Sequence, residues 1–171
     1  MMSKSKSYRA FLLRHATTST ADPTKRAVVW ENENCVTSDG RCREVDLPSV
    51  VIAPDRVIHP RFEIMAEVDT LLGVPPDTKG EGLTDPRFDV AQLLVGLDGA
   101  LGTLRAAGWD PEKLFPRGFK VHPRAHWERN AYAYSNDDPP KIDFGLARGV
   151  WSLASDLDVA RHELAHLLNA A

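Results

Sequence analysis

The sequence has no strong charge of either sign. Its 21 basic and 24 acidic residues leave a net charge of −3, and the basic ones are dispersed apart from the opening MMSKSKSYR. That balance offers no basic stripe to a nucleic-acid backbone or an anionic membrane surface, so neither is expected as a partner. Long apolar runs are missing as well. None approaches the roughly 20 residues needed to span a bilayer. Behind the basic opening, the apolar run AFLL is interrupted at once by Arg14 and His15. A secretory signal needs about 7 to 15 apolar residues, so no signal peptide is expected. Cysteine is scarce, with two in the whole chain. Cys35 and Cys42 bracket VTSDGR, in which Asp39-Gly40 is a tight-turn signal. They can pair across a hairpin in an oxidising compartment or stand as two separate thiols. With no second Cys or His pair nearby, a zinc knuckle is not expected.

What is present describes an ordinary globular chain. A length of 171 residues, with 43% hydrophobic and 26% charged residues, fits one domain with a sizeable core. Residues 1–26 are rich in Ser, Thr, Lys and Arg and read as a flexible tail; residues 27–171 read as the folded domain. In 27–58 the β-prone runs AVVW, SVVIAP and RVI predict two or three strands. Phe62, Met65, Val68 and Leu72 recur near helical spacing and predict a helix over 61–72 that ends at Gly73. GVPPDTKGEGLTDP (73–86) reads as a loop. Asp85-Pro86 looks like an N-cap with proline at the first helical position, opening a helix of about twenty residues that closes at Gly108. Gly96, Gly99 and Gly102 fall inside it, each costing about 1 kcal/mol relative to alanine. They mark either a close packing contact or a break. Beyond Trp109 the pattern turns to strands in GFKVHP, RNAYAYS and KIDFG, then a loop over LARGVWSLAS. Asp156 or Asp158 can cap a final helix. No internal repeat is present.

That final helix carries the chemistry. In LDVARHELAHLLNAA, His162 and His166 are four residues apart, so on a helix both imidazoles lie on one face about a turn apart. Two ring nitrogens so placed can reach one Zn²⁺ at about 2.0 to 2.1 Å. Glu163, next to the first histidine, stands where a general base must stand, within reach of a zinc-bound water without being a ligand. Zinc lowers the pKa of its water toward about 7 and polarises a carbonyl, which makes peptide hydrolysis feasible at neutral pH. Leu157, Ala160, Leu164, Leu167 and Leu168 supply an apolar side to bury the helix.

DVARHELAH, preceded by KIDFG and before that by RNAYAY, resembles the thermolysin-like zinc metallopeptidases, the gluzincins. The resemblance spans roughly residues 60–171 and is most specific at the nine-residue HExxH segment. It implies a zincin-like α+β subdomain: a small, twisted, mostly antiparallel sheet, a long backing helix and a C-terminal active-site helix. It also implies a zinc endopeptidase acting on peptide or protein substrates. By match, His162 and His166 would be zinc ligands and Glu163 the catalytic base. Asn130, Ala131 and Tyr132 would bind substrate on an edge strand, by β-augmentation. The family also suggests calcium near Asp158. The N-terminal residues point to the cytoplasm, whereas the resemblance points to secretion.

The pattern departs from the family in one respect. A catalytic zinc needs three protein ligands, and the motif supplies two. In gluzincins the third is a glutamate on a later helix, and here the sequence stops at Ala171. The expectation is therefore a catalytic domain lacking its C-terminal half, with weak zinc binding and self-association through the exposed apolar face. His122, His126, Asp156 and Asp158 are candidates by type for a third ligand. Each reads more naturally as a structural histidine or a helix-capping aspartate. Two alternatives stay open. One is an inactive, truncated zincin that serves as a peptide-binding module. The other is a metzincin, HExxHxxGxxH, with Asn169 at the glycine position, where it would take a left-handed turn.

Overall fold

A run of β-prone residues buried on both faces, Ala27 to Trp30, makes the first strand. The computed structural model describes residues 26–32, 38, 41–71, 85–146 and 152–170. Strands β1 (Arg26–Trp30) and β2 (Cys42–Asp46) form an antiparallel hairpin in register Arg26↔Asp46 to Trp30↔Cys42. CREVD therefore adds a strand that its charged letters did not suggest. The short runs at β3 (Val51–Ala53) and β4 (Arg56–Ile58) pair antiparallel. The tail boundary moves to residue 25, since Arg26 already opens β1; residues 1–25, Cys35 and the loop 72–84 lie outside the described residues. Cys42 is half-buried at the start of β2.

The helix expected over 61–72 is not formed. Phe62–Ile64 is instead strand β5, with Phe62 and Ile64 buried on one side. Its edge partner is the longer β6 (Phe119–His126), paired in parallel from Phe62↔Phe119 to Ile64↔Val121. Met65 continues that ladder by donating its N–H to the Val121 carbonyl at 2.8 Å. Period two over three positions, the outer two buried, with a waiting ladder, outweighs a four-residue echo of helical spacing.

With β7 (Ala131–Tyr134) and β8 (Lys141–Gly145) the sheet has the order β3-β4-β5-β6-β8-β7. It is mixed rather than mostly antiparallel in its centre: β5, β6 and β8 run parallel, while β7 returns antiparallel to β8 at the edge. The expected α+β class holds.

Helix α1 (Pro86–Ala106) backs the sheet. Asp85 caps it by accepting from the Arg87 N–H, and Ala107 and Gly108 (φ +87°) close it. Val90, Leu93, Leu94, Leu97 and Leu101 are fully buried on the stripe that this spacing creates. None of the three glycines breaks the helix. Gly96 is a packing contact, where an added Cβ would come within 2.5 Å of Leu157 Cδ2; a Cβ at Gly99 or Gly102 would meet nothing within 4 Å. A short turn, α2 (Pro111–Leu114), precedes β6. Among the described residues no helix is long and apolar enough to cross a membrane.

Helix α3 (Leu157–Leu168) packs on α1, β7 and β8. Two polar ties fix its start. Gln92, fully buried on α1, accepts from the Trp30 N–H at 3.1 Å and donates to the Ser155 carbonyl at 3.0 Å. Ser152 donates its hydroxyl to the Pro123 carbonyl at 3.0 Å. Ala160, Leu164 and Leu167 then join Phe144, Ile142 and Ala131 in the main core. Full burial of each leucine is worth about 1.5–3 kcal/mol.

Candidate metal centre and peptide edge

Asp156 is the cap that starts α3: its carboxylate accepts from the Asp158 N–H at 3.0 Å. Its C-terminal neighbour Asp158 is exposed and lies 3.9 Å from Arg161. Both aspartates are thus accounted for as helix-start groups, the positions the macrodipole favours.

One and two turns on, His162 and His166 are solvent-exposed and converge, with their Nε2 atoms 3.0 Å apart and rings nearly perpendicular. Two imidazole nitrogens on one tetrahedral zinc, at about 2.0–2.1 Å each, would stand roughly 3.3 Å apart. The pair therefore fits two positions of a zinc shell with almost no movement. Glu163 is only 7% exposed, on the buried flank of the same helix. Among the described residues nothing donates a hydrogen bond to its carboxylate or forms an ion pair with it.

A third ligand is not found with them. Among the described residues no group of three His, Cys, Asp or Glu side chains is placed to hold a metal ion. His122 and His126 are separated from α3 by the sheet. His122 is paired in register with Asp143, which in turn faces Tyr132, on the face away from the helices. Burial holds its pKa below the ordinary histidine value, opposed by the Asp143 charge. His126 accepts the Glu128 N–H at its Nδ1, at 3.3 Å, and its ring lies 5.3 Å from that of Tyr132. Asn169 is right-handed (φ −70°, ψ −13°), so the turn required of a metzincin glycine is not made.

The second half of the site is the strand beside the helix. Among the described residues strand β7 is the last in the sheet, paired on one side only, with β8. Its side chains alternate. Ala131 is buried and Ala133 packs on the core over the helices, whereas Tyr132 and Tyr134 are 37% and 40% exposed on the other face. Main-chain direction follows from one bond, the Gly145 N–H donated to the Asn130 carbonyl at 2.9 Å. In an antiparallel ladder hydrogen-bonded pairs alternate with non-bonded ones. Asn130, Tyr132 and Tyr134 therefore turn their N–H and C=O groups to β8. Ala131 and Ala133 turn theirs to the open side.

This redistributes the roles expected for Asn130, Ala131 and Tyr132. Ala131 turns its main-chain groups away from β8. Asn130 is committed to the sheet through its carbonyl, and Tyr132 offers its ring. Ala133 was missed, although the alternation in AYAY carries the signal: the residue two after Ala131 must point its backbone the same way. Gly145 was missed too. A Cβ there would collide with the Glu128 carbonyl and lie 2.8 Å from the Asn130 oxygen and 2.7 Å from the His126 ring. No letter pattern announces that contact, which arises only when β6, β7 and β8 close together.

No family model, curated protein or solved structure matches the chain.

Proposed function

We propose that this chain is a zincin-like, zinc-dependent endopeptidase, with His162 and His166 as metal ligands and Glu163 as general base. A third ligand would come from outside the described residues. The reading rests on one observation above all: two histidine Nε2 atoms 3.0 Å apart on a helix packed beside the strand that ends the sheet among the described residues. When bound there, zinc would supply Lewis acidity, acidifying water and polarising the scissile carbonyl. The chain's own residues do the rest. The Ala131 and Ala133 main-chain groups hold a peptide extended along β7. Glu163 takes the proton of the attacking water and delivers it to the leaving amine. The core packing of α3 keeps these groups in register with the edge.

Zinc titration of the full chain, with casein hydrolysis measured in parallel, tests this. Zinc should bind through the histidine pair, and His162→Ala should weaken it by about 100-fold or more, since even outer-shell changes cost 10- to 100-fold. Glu163→Gln should keep the metal and abolish any hydrolysis. Zinc affinity indifferent to His162→Ala would sink the reading.

A second reading, a peptide-binding module without turnover, is favoured by the incomplete donor set beside an intact edge. Peptide binding without casein hydrolysis at saturating zinc selects it. Self-association, if it occurs, would use the open groove of about 590 Å³ between Gly99–Leu104 of α1 and Arg161–Leu168 of α3. Light scattering at high concentration checks that.

A further inference from the structure

The register of β7 carries more than a place for a peptide. Two residues apart on the strand, Tyr132 and Tyr134 present their rings on the face opposite the histidine helix, with centroids 6.3 Å apart. Both are held. The Tyr132 hydroxyl donates to Glu128 Oε2 at 2.9 Å, and Lys141 Nζ lies 4.4 Å from the centre of the Tyr134 ring. A strand laid on the open side bonds its backbone to Ala131 and Ala133. The peptide residues directly opposite Tyr132 and Tyr134 are then the non-hydrogen-bonded ones, which approach most closely, at about 4.5 Å between Cα atoms. Directly opposite residues share a face, so those side chains must lie against the tyrosine rings, while their neighbours turn toward α3 and its histidines.

We infer that Tyr132 and Tyr134 select extended peptides with aromatic or β-branched side chains at two positions two residues apart. This rests on the peptide-edge part of the proposed function and not on the metal. The two faces of the bound peptide are thus read separately: the outer face by the two rings, the inner face by whatever surrounds His162 and His166. Aromatic–aromatic and aromatic–β-branched cross-strand pairs favour binding by about 1.5- to 5-fold each over alanine pairs, so two together give about twofold to 25-fold, with about threefold to tenfold in the middle of that range.

The test uses the full chain without added zinc and two capped, labelled decapeptides of one polar sequence. One carries Val-x-Val at its centre and the other Ala-x-Ala; affinity is read by fluorescence anisotropy. The Val-x-Val peptide should bind about threefold to tenfold more tightly. Tyr132→Ala and Tyr134→Ala should each narrow that ratio, weakening the Val-x-Val peptide more than the Ala-x-Ala one. Tyr132→Phe should restore it, because the ring and not the hydroxyl makes the contact. Both tyrosines are exposed, so these variants fold, which circular dichroism checks. A ratio that is the same in wild type and Tyr132→Ala overturns the inference, and so does failure of either peptide to bind. Failure of zinc binding in the separate titration removes the metal reading and leaves this one standing.

Discussion

At one edge of the six-stranded sheet lies β3, three residues set between Pro48 and Pro54, with Val51 62% exposed and no helix against it. At the other lies β7, four uncharged residues with no proline among them, packed beside α3. Proteins usually blunt sheet edges by shortness, proline, charge or cover, because an open ladder invites pairing. The β3 edge is short and flanked by prolines. The β7 edge is left open within its strand, and it is the edge next to the histidine pair. Among the described residues, then, the two edges are treated differently, and the one without proline or charge is the one beside α3.

The largest effect that would break this contrast is expected from Gly145→Ala. The added methyl would drive into the Glu128 and Asn130 carbonyls, where backbone cannot yield cheaply. We expect a loss of about 3 kcal/mol or more in chemical denaturation, with the β7 end freed first in hydrogen exchange. A loss under 1 kcal/mol would mean that β7 is not pinned at Asn130.

Proline sharpens the comparison at intermediate size. Tyr132 donates its N–H to β8, so Tyr132→Pro should cost about 3 kcal/mol. Ala133 directs its N–H outward, so Ala133→Pro should cost less, about 1 kcal/mol, yet weaken peptide binding about tenfold. Equal destabilisation by the two would show that the ladder register is wrong.

The smallest effect concerns pH and the β3 side. His59, at the β4–β5 corner, is 7% exposed, stacked on Phe62 with ring centroids 4.2 Å apart, and its Nδ1 accepts the Arg61 N–H. Burial holds its pKa below the ordinary value, opposed by Asp98 at 3.3 Å, with Arg105 and Arg61 adding to the lowering. The unfolded chain takes up that proton near pH 6.5, before the folded protein does, so stability is full above 6.5 and falls as the pH drops below it. Stability should fall between pH 7 and 5, and His59→Gln should flatten that part of the curve. A profile unchanged by the substitution would remove His59 as its source.

Much of this was legible in the letters. Asp85-Pro86 and Gly108 bounded α1 because capping chemistry is local, and KIDFG and NAYAY announced β8 and β7 because alternation and β-branched or aromatic content are local too. The histidine convergence is likewise a property of one helix: i, i+4 spacing alone brings the two Nε2 atoms together. Phe62–Leu72 misled because four apolar residues at near-helical spacing say nothing of the parallel ladder that Phe119–Val121 offers. CREVD was passed over because its partner, β1, supplies the pairing that its own propensity lacks.

The sequence by itself determined the convergence of His162 and His166, the place of Glu163 beside the first of them and the helix that carries all three, because each depends on contacts within four residues. Only the tertiary structure decided which face of β7 looks outward, which of its main-chain groups stay open, and that His122 and His126 lie across the sheet from the helix that bears the pair. Those facts depend on strand order and on contacts such as Gln92 to Ser155 and Gly96 to Leu157, which join residues some sixty positions apart. Such pairings are set by burying the whole core at once.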